Sequence, residues 1–344
     1  MLGVIKQRRD VVPRIQHYYQ EIVPMYSLDD FKSHFRLSRH SFQTLLVQME
    51  KAPTFNRANG PSVNTEKELL MFLWYVGNLE CFRSMADRFG VSKGSFHASV
   101  KRTSSALVQD IMAEVIQWPR SNAKLRETSV GYSQLSELQG VIGSIDGSHI
   151  AIKAPSKHAP AYYNRKQFHS LVLLACCDAN NCFTYAWTGN PGSTHDATVL
   201  RTSDLFQQAE NLIPPGFYLL GDSAFPLKRW LITPFRNFGN LTRQQNHFNT
   251  THAKARVAIE RTFGLLKCRF RRLLRFEASD MNIIVDTILS ACILHNICVK
   301  DGDDMFDDMV DDNCFDNSGR VARQCDDLSG IRLRQELIQQ LQAN

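Results

Sequence analysis

The chain has 344 residues, 43% hydrophobic and 22% charged, an ordinary globular make-up with ample material for a packed core. Its net charge of +6 hides an asymmetry: residues 300–344 carry 5 Lys/Arg against 11 Asp/Glu, while the remaining 299 carry 35 against 23. A basic body with an acidic tail suits a polyanionic partner, and no uncharged apolar run approaches the roughly 18–20 residues that span a bilayer.

Nine cysteines, an odd number with no C-x-x-C pair, argue against a disulfide framework and a zinc site. The opening MLGVIKQRRDVVPRIQ is basic but lacks the apolar stretch of a secretory signal, so an intracellular, reducing setting is expected.

To about Arg120 the pattern is helical. Phe35, Leu37, Phe42, Leu45, Leu46 and Met49 recur at helical spacing, with Ser38 or Ser41 as the cap. Residues 52–65 are rich in turn formers and read as a loop, after which Thr65 caps an apolar helix. A short helix at Phe82–Arg88, a tight turn at Phe89–Gly90–Val91 and a second helix from about Ser92 have helix-turn-helix spacing, over about residues 82–106. Lys93, Ser95, His97, Lys101 and Arg102 would lie on or near the polar surface of the second helix, where DNA is met. A plain αα-hairpin has the same spacing. Trp118–Pro119 stops the helical run.

From Gly140 the period changes. VIGSIDGSHIAIK, SLVLLACCDA, CFTYAWTG and FYLLGDSAF are short, apolar and β-rich. Helical patterns follow at Thr194–Gln208, from about Thr250 to Phe270, and over Asp280–Val299. The expected organisation is an all-α region with the helix-turn-helix over residues 1–130, a mixed α/β domain over 131–300, and an acidic tail with a short C-terminal amphipathic helix over 301–344. The Asp-rich stretch beginning at Asp301 reads as disordered or as a surface tail.

Three acids stand out. Asp146 and Asp222 each end an apolar run that reads as a strand, and strand ends are where α/β sheets place their sites. Glu260 is the one acid between Thr250 and Phe276, among eight Lys/Arg. Carboxylates converging from separate elements suit a pair of divalent cations, which neutralise a phosphodiester and activate its attacker. Singly, each acid has a plainer reading: Asp146–Gly147 and Asp222–Ser223 as turns, Glu260 as a partner of Arg256 or Arg261. Asp196, beside His195, is a fourth candidate ligand, or a first-turn acid on a helix capped by Ser193 or Thr194. His149 either meets a phosphate or orients a ligand, or is a polar core histidine.

Basic residues surround these acids. Tyr162–Ser170 combines aromatic rings with Arg165, Lys166 and His169, a pattern for phosphate contact and stacking or for a solvated loop. Lys267, Arg269, Arg271, Arg272 and Arg275 are too dense for one solvated helix face and are expected to contact phosphates.

Through SIDGSHIAIKAP, YYNRKQFHSL, NPGSTHDATVL, LLGDSAFPLKRWLITPF, AIERTFGLLKCRFRRL and ACILHNIC, and through FRLSRHSFQTLL in the first half, the chain resembles the PIF/Harbinger superfamily of DDE transposases. The resemblance implies an RNase H-like catalytic core, a mixed sheet flanked by helices, with a catalytic triad at Asp146, Asp222 and Glu260. It places the Asp of the family's His-Asp motif at Asp196 and implies Mg²⁺ or Mn²⁺ as cofactor. The expected activity is DNA cleavage at transposon ends, followed by strand transfer by the freed 3′-hydroxyl. A Myb/SANT-like partner that aids DNA recognition and nuclear entry, and a homo-oligomer holding two DNA ends, are also implied. Nuclear localisation is therefore expected when that partner is present and cytoplasmic when it is absent; RRLLR is the nearest approach to a basic nuclear signal. A domesticated nuclease without transposition, and a non-catalytic DNA-binding or adaptor protein, are the competing expectations. No triad position is substituted.

Overall fold

Ser170–Cys177 (SLVLLACC) has almost no polar face, so it belongs inside a sheet covered on both sides. The computed structural model, which describes residues 13–55, 63–303 and 326–343, places it there. The five strands are β1 (Val141–Ala151), β2 (Ser170–Cys177), β3 (Phe183–Pro191), β4 (Tyr218–Leu220) and β5 (Leu231–Ile232), in the spatial order β3-β2-β1-β4-β5. β1, β2 and β3 are antiparallel neighbours, whereas β4 pairs parallel to β1, and β5 parallel to β4. Along β2 the side chains alternate between two cores: Leu171, Leu173, Ala175 and Cys177 join one, and Val172, Leu174 and Cys176 the other. The acidic run from Asp304 to residue 325 and the middle of the 52–65 loop lie outside the described residues.

Before the sheet come helices α1 (Val23–Met25), α2 (Leu28–Phe35), α3 (Arg39–Lys51), α4 (Thr65–Gly77), α5 (Phe82–Arg88), α6 (Lys93–Ala106), α7 (Met112–Val115) and α8 (Asn122–Leu135). Among the strands lie α9 (Ala159–Tyr162), α10 (Asp196–Thr202) and α11 (Asp204–Leu212), and after them α12 (Arg243–Arg269), α13 (Met281–Lys300) and α14 (Leu328–Ala343). Together these make a mixed α/β fold, a five-stranded mixed sheet flanked by helices. Side-chain caps start many of the helices. Ser38 rather than Ser41 caps α3, and Asn64 rather than Thr65 caps α4, accepting the Lys67 N–H at 2.9 Å. α12 starts earlier than its apolar periodicity suggests, because Thr242 and Gln245 form a reciprocal capping box ahead of a largely polar first turn. Between α5 and α6 the chain turns at Gly90, whose φ of 64° is a left-handed conformation that glycine adopts without cost.

α13 is long and apolar enough to cross a membrane by length and composition, but its Ile283, Ile284, Ile288, Cys292 and Ile293 are buried in the protein core. The last helix, expected as part of a tail, is docked. Leu337, Ile338 and Leu341 of α14 enter the core, and Arg334 donates to the carbonyls of Thr233 and Pro234 just past β5 while lying 3.9 Å over the Phe235 ring.

Two buried histidines share one protonation logic. His295 Nε2 donates to the Asn181 carbonyl at 2.8 Å, and its Nδ1 is buried with no partner. A second proton there would be an unpaired charge in the core, so burial pulls its pKa down to about 4. Burial likewise lowers His252, whose Nε2 meets the Ile232 carbonyl, to about 3. With folded values below the ordinary 6.5, both imidazoles are neutral in the fold. Below pH 6.5 the unfolded chain takes up protons first, so their stabilisation is complete above that pH and is lost as pH falls towards 4. Urea unfolding is expected to give His295→Gln a smaller loss of stability than wild type between pH 6.5 and 4.5, by about 2–3 kcal/mol. Equal losses in the two proteins would refute this account of His295.

Candidate active site

Parallel pairing of β1 with β4 brings Ser144 opposite Leu220. Two residues further along each chain stand Asp146 and Asp222, so the register sets the two carboxylates abreast, on neighbouring backbones roughly 5 Å apart. Asp222 follows its strand, as read from sequence. Asp146 does not close β1: the strand continues to Ala151, with Asp146 paired to Ala175 and Ala151 to Ser170 of β2. The Asp-Gly turn chemistry is overridden by this unbroken antiparallel ladder.

Ser144 and Asp146 share the face covered by α12: Ser144 Oγ donates to the Ala255 carbonyl at 3.4 Å, and Asp146 Oδ2 accepts from Arg256 Nη2 at 2.9 Å. One helical turn beyond Arg256 lies Glu260, whose Oε1 is 3.6 Å from the same Nη2. The guanidinium thus joins the strand acid to the helix acid. Asp196 enters from the other side as the first residue of α10. A Cβ built on Gly147 would meet Asp196 Oδ1 at 2.4 Å, so the carboxylate occupies space that only glycine leaves open. His195 is the N-cap of α10 and makes no side-chain capping bond; neither Ser193 nor Thr194 takes that place.

Crowding and burial shape the electrostatics. Burial pushes the Asp146 carboxyl up to about 7; Arg256 opposes the shift, and the charges of Asp222 and Asp196 add to it. Asp222 is also raised by burial, against the attraction of Arg256 and the backbone N–H groups of Ala224 and Phe225. Ala224 N–H donates to Asp222 Oδ1 at 2.8 Å, and Gly147 N–H to Asp146 Oδ1 at 2.9 Å.

In kind, the donors are those a hard divalent cation takes: carboxylate oxygens delivered by separate, rigid elements. As the side chains stand, however, no three His, Cys, Asp or Glu among the described residues form a set that could hold a metal ion. Arg256 lies between two of the acids. Its partner Asp146 is 110 positions away in the chain, and helical patterning marked Arg256 only as a neighbour of Glu260.

The basic residues divide sharply. Lys93, His97 and Lys101 are exposed on α6, with His97 against the Phe82 ring. Arg165 and Lys166 are exposed, and Arg165 Nη2 lies 2.6 Å from His195 Nδ1, next to Asp196. Lys267 Nζ donates to the His149 carbonyl at 3.2 Å, while His149 Nδ1 is 3.0 Å from Ser170 Oγ. Arg271 and Arg275 are exposed, Arg275 being paired with Glu277. Two expected DNA contacts, Arg269 and Arg272, are corrected, and a third, the half-buried Arg102, is engaged by a buried acid. Arg102 forms an ion pair with the fully buried Glu68. Arg269 is buried, donating to Asp303 Oδ2 at 3.0 Å and to the Arg36 carbonyl at 3.1 Å. Arg272 is buried over the Tyr75 ring and donates to the carbonyls of Tyr75 and Glu80. Their donors are used inside the protein.

A family model described as DDE superfamily endonuclease matches residues 145–296, a span that takes in Asp146, Asp196, Asp222 and Glu260. "Putative nuclease HARBI1" of Rattus norvegicus is 31% identical over 330 residues, covering 91% of this chain and 92% of the relative. The protein of that name from Homo sapiens is 29% identical over 330 residues, with the same coverage of each chain. "Protein ALP1-like" of Arabidopsis thaliana is 27% identical over 335 residues, 90% of this chain and 81% of the relative. No solved structure matches the chain. The chain belongs to the Harbinger-transposase-derived nucleases of the DDE endonuclease superfamily.

The split among the arginines is measurable by thermal or urea unfolding. Arg269→Ala leaves the buried Asp303 carboxylate without its guanidinium and is expected to destabilise the protein by about 3–5 kcal/mol. Arg271→Ala, two residues on but exposed, is expected to change stability by no more than about 0.5 kcal/mol. Similar small losses for both would place Arg269 at the surface instead.

Proposed function

We propose that this protein is a divalent-cation-dependent DNA endonuclease on an RNase H-like core, with Asp146, Asp222 and Glu260 as its catalytic carboxylates and Asp196 as an auxiliary ligand. The observation that carries this is the β1–β4 register, which sets Asp146 abreast of Asp222 beneath the helix that carries Glu260. Bound Mg²⁺ or Mn²⁺ would supply charge neutralisation at the scissile phosphate and an activated water. The chain's own contribution is to fix the acids on a strand, a strand end and a long helix, none of which needs to move to bring its oxygens to the site. Gly147 keeps the neighbouring strand position clear for Asp196. In hydrolysis a water oxygen forms a new P–O bond as the 3′-oxygen leaves, giving a 3′-hydroxyl and a 5′-phosphate; in strand transfer that hydroxyl forms a P–O bond to a target phosphodiester and displaces the target strand's own 3′-hydroxyl.

Exposed Lys93, His97, Lys101, Arg165, Lys166 and Arg271, with the half-buried Lys267, are the proposed phosphate contacts. Arg165 is the best placed, through His195 at the rim beside Asp196. A cleft of about 420 Å³ lined by Lys153, Lys157, His158 and Tyr162 follows the end of β1 and extends this basic surface. The hairpin of α5 and α6 is proposed as a helix-turn-helix, with a Myb/SANT-like partner supplying further DNA recognition and nuclear entry, and with assembly on DNA as a homo-oligomer.

Cleavage of terminal-repeat DNA in Mg²⁺ or Mn²⁺ tests the reading. Asp146→Asn is expected to cut more than about 100-fold more slowly than wild type. Undiminished cutting by that variant would remove Asp146 from the chemistry. A strand-transfer assay with a precleaved 3′-hydroxyl end separates transposition from nuclease activity alone; no joined product would confine the protein to hydrolysis.

A further inference from the structure

Arg256 is poorly explained as a helix-stabilising residue. It stands in the middle of α12, away from the C-terminal turn where cations complement the helix dipole. It precedes Glu260 by four residues, the less favourable order for an ion pair along a helix. Its side chain is only 14% exposed, yet its Nε is buried and meets no acceptor. Arg269 and Arg272 spend their donors on buried carbonyls, whereas Arg256, like Arg334, keeps a buried Nε without an acceptor. Arg256 instead points a single nitrogen, Nη2, at Asp146 and Glu260 together.

The acids supply the reason. The charges of Asp222 and Asp196 both act against an ionised Asp146 in its buried setting, and Arg256 attracts both Asp146 and Asp222. Asp146 Oδ1 already accepts from Gly147, which leaves Oδ2 as the oxygen that faces α12, and Arg256 holds it. A cation ligated by Oδ2 and by Glu260 would occupy the position of that nitrogen. Both positive groups cannot have the same two oxygens.

We propose that Arg256 is the resident counter-cation of the carboxylate cluster, and that a divalent cation binds by exchange for its guanidinium. The inference rests on the metal-dependent reading of the site. Exchange breaks two charged contacts at one nitrogen without dismantling a complete hydrogen-bond network, because Nε is already unpartnered. Arg256 therefore lowers cation affinity while stabilising the metal-free fold, the opposite of what a ligand-orienting residue does.

Calorimetric titration of the full chain with MnCl₂, without DNA, tests this on wild type, Asp146→Asn, Arg256→Met and Arg256→Lys. Arg256→Met is expected to bind Mn²⁺ about tenfold more tightly than wild type, the scale of one half-buried ion pair. Arg256→Lys, which keeps the charge but cannot span both carboxylates, is expected to fall between them; it serves if the methionine variant does not fold. Without metal, Arg256→Met should melt below wild type, and adding Asp146→Asn should restore part of the loss. Mn²⁺ binding that Asp146→Asn abolishes but that neither Arg256 variant tightens would overturn the exchange alone. No Mn²⁺ binding by wild type or by either Arg256 variant would overturn the metal reading and the exchange with it.

Discussion

Like charges held side by side, away from water, are the constraint on which this molecule turns. Left alone, neighbouring carboxylates separate or take up protons. Here they cannot separate, because each is carried by an element fixed elsewhere: β1 by its ladder with β2, β4 by β5, and α12 by the core beneath it. The two cores on either side of the sheet make the acid cluster possible, since packing stiffens the backbone more than charge repulsion can bend it. The guanidinium of Arg256 balances what packing alone would leave strained.

A second set of charges does the reverse work, in the body of the fold. Asp303 is buried where Lys32 of α2 and Arg269 of α12 converge, and the Arg269 guanidinium also reaches the carbonyls of Arg36 and Asp303. This junction ties the amino-terminal helices to the helix that carries Glu260. At this junction two cations serve one buried acid, whereas at the site one guanidinium, its Nε unpartnered, serves two carboxylates.

Much of this was legible in the residues. Uninterrupted apolar runs announced the buried strands, Ser38 marked the start of α3, and the isolation of Glu260 among cations singled it out. Other features were hidden for a common reason: their partners are distant in the chain. Asp146 resembled a turn residue because its pairing with Ala175 cannot be read from Asp-Gly chemistry. The arginines at 269 and 272 resembled a DNA-binding cluster because the groups that consume their donors, near Arg36, Tyr75, Glu80 and Asp303, lie far away in sequence. Arg256 was visible only as a helix neighbour of Glu260. Charge density in a sequence does not distinguish a cation facing solvent from one facing a carbonyl.

Gly147 changes how the chain's competence should be judged. Intact acids are the usual sign that a transposase-derived gene still encodes a working enzyme. Yet the strand position beside Asp146 tolerates no side chain without moving Asp196, since even a methyl group would lie 2.4 Å from its Oδ1. With Asp196 as the proposed auxiliary ligand, a substitution at Gly147, a residue with no functional group of its own, would disturb the site while every acid stayed in the sequence. In related genes, an inventory of acids that omits this glycine would miss such a change.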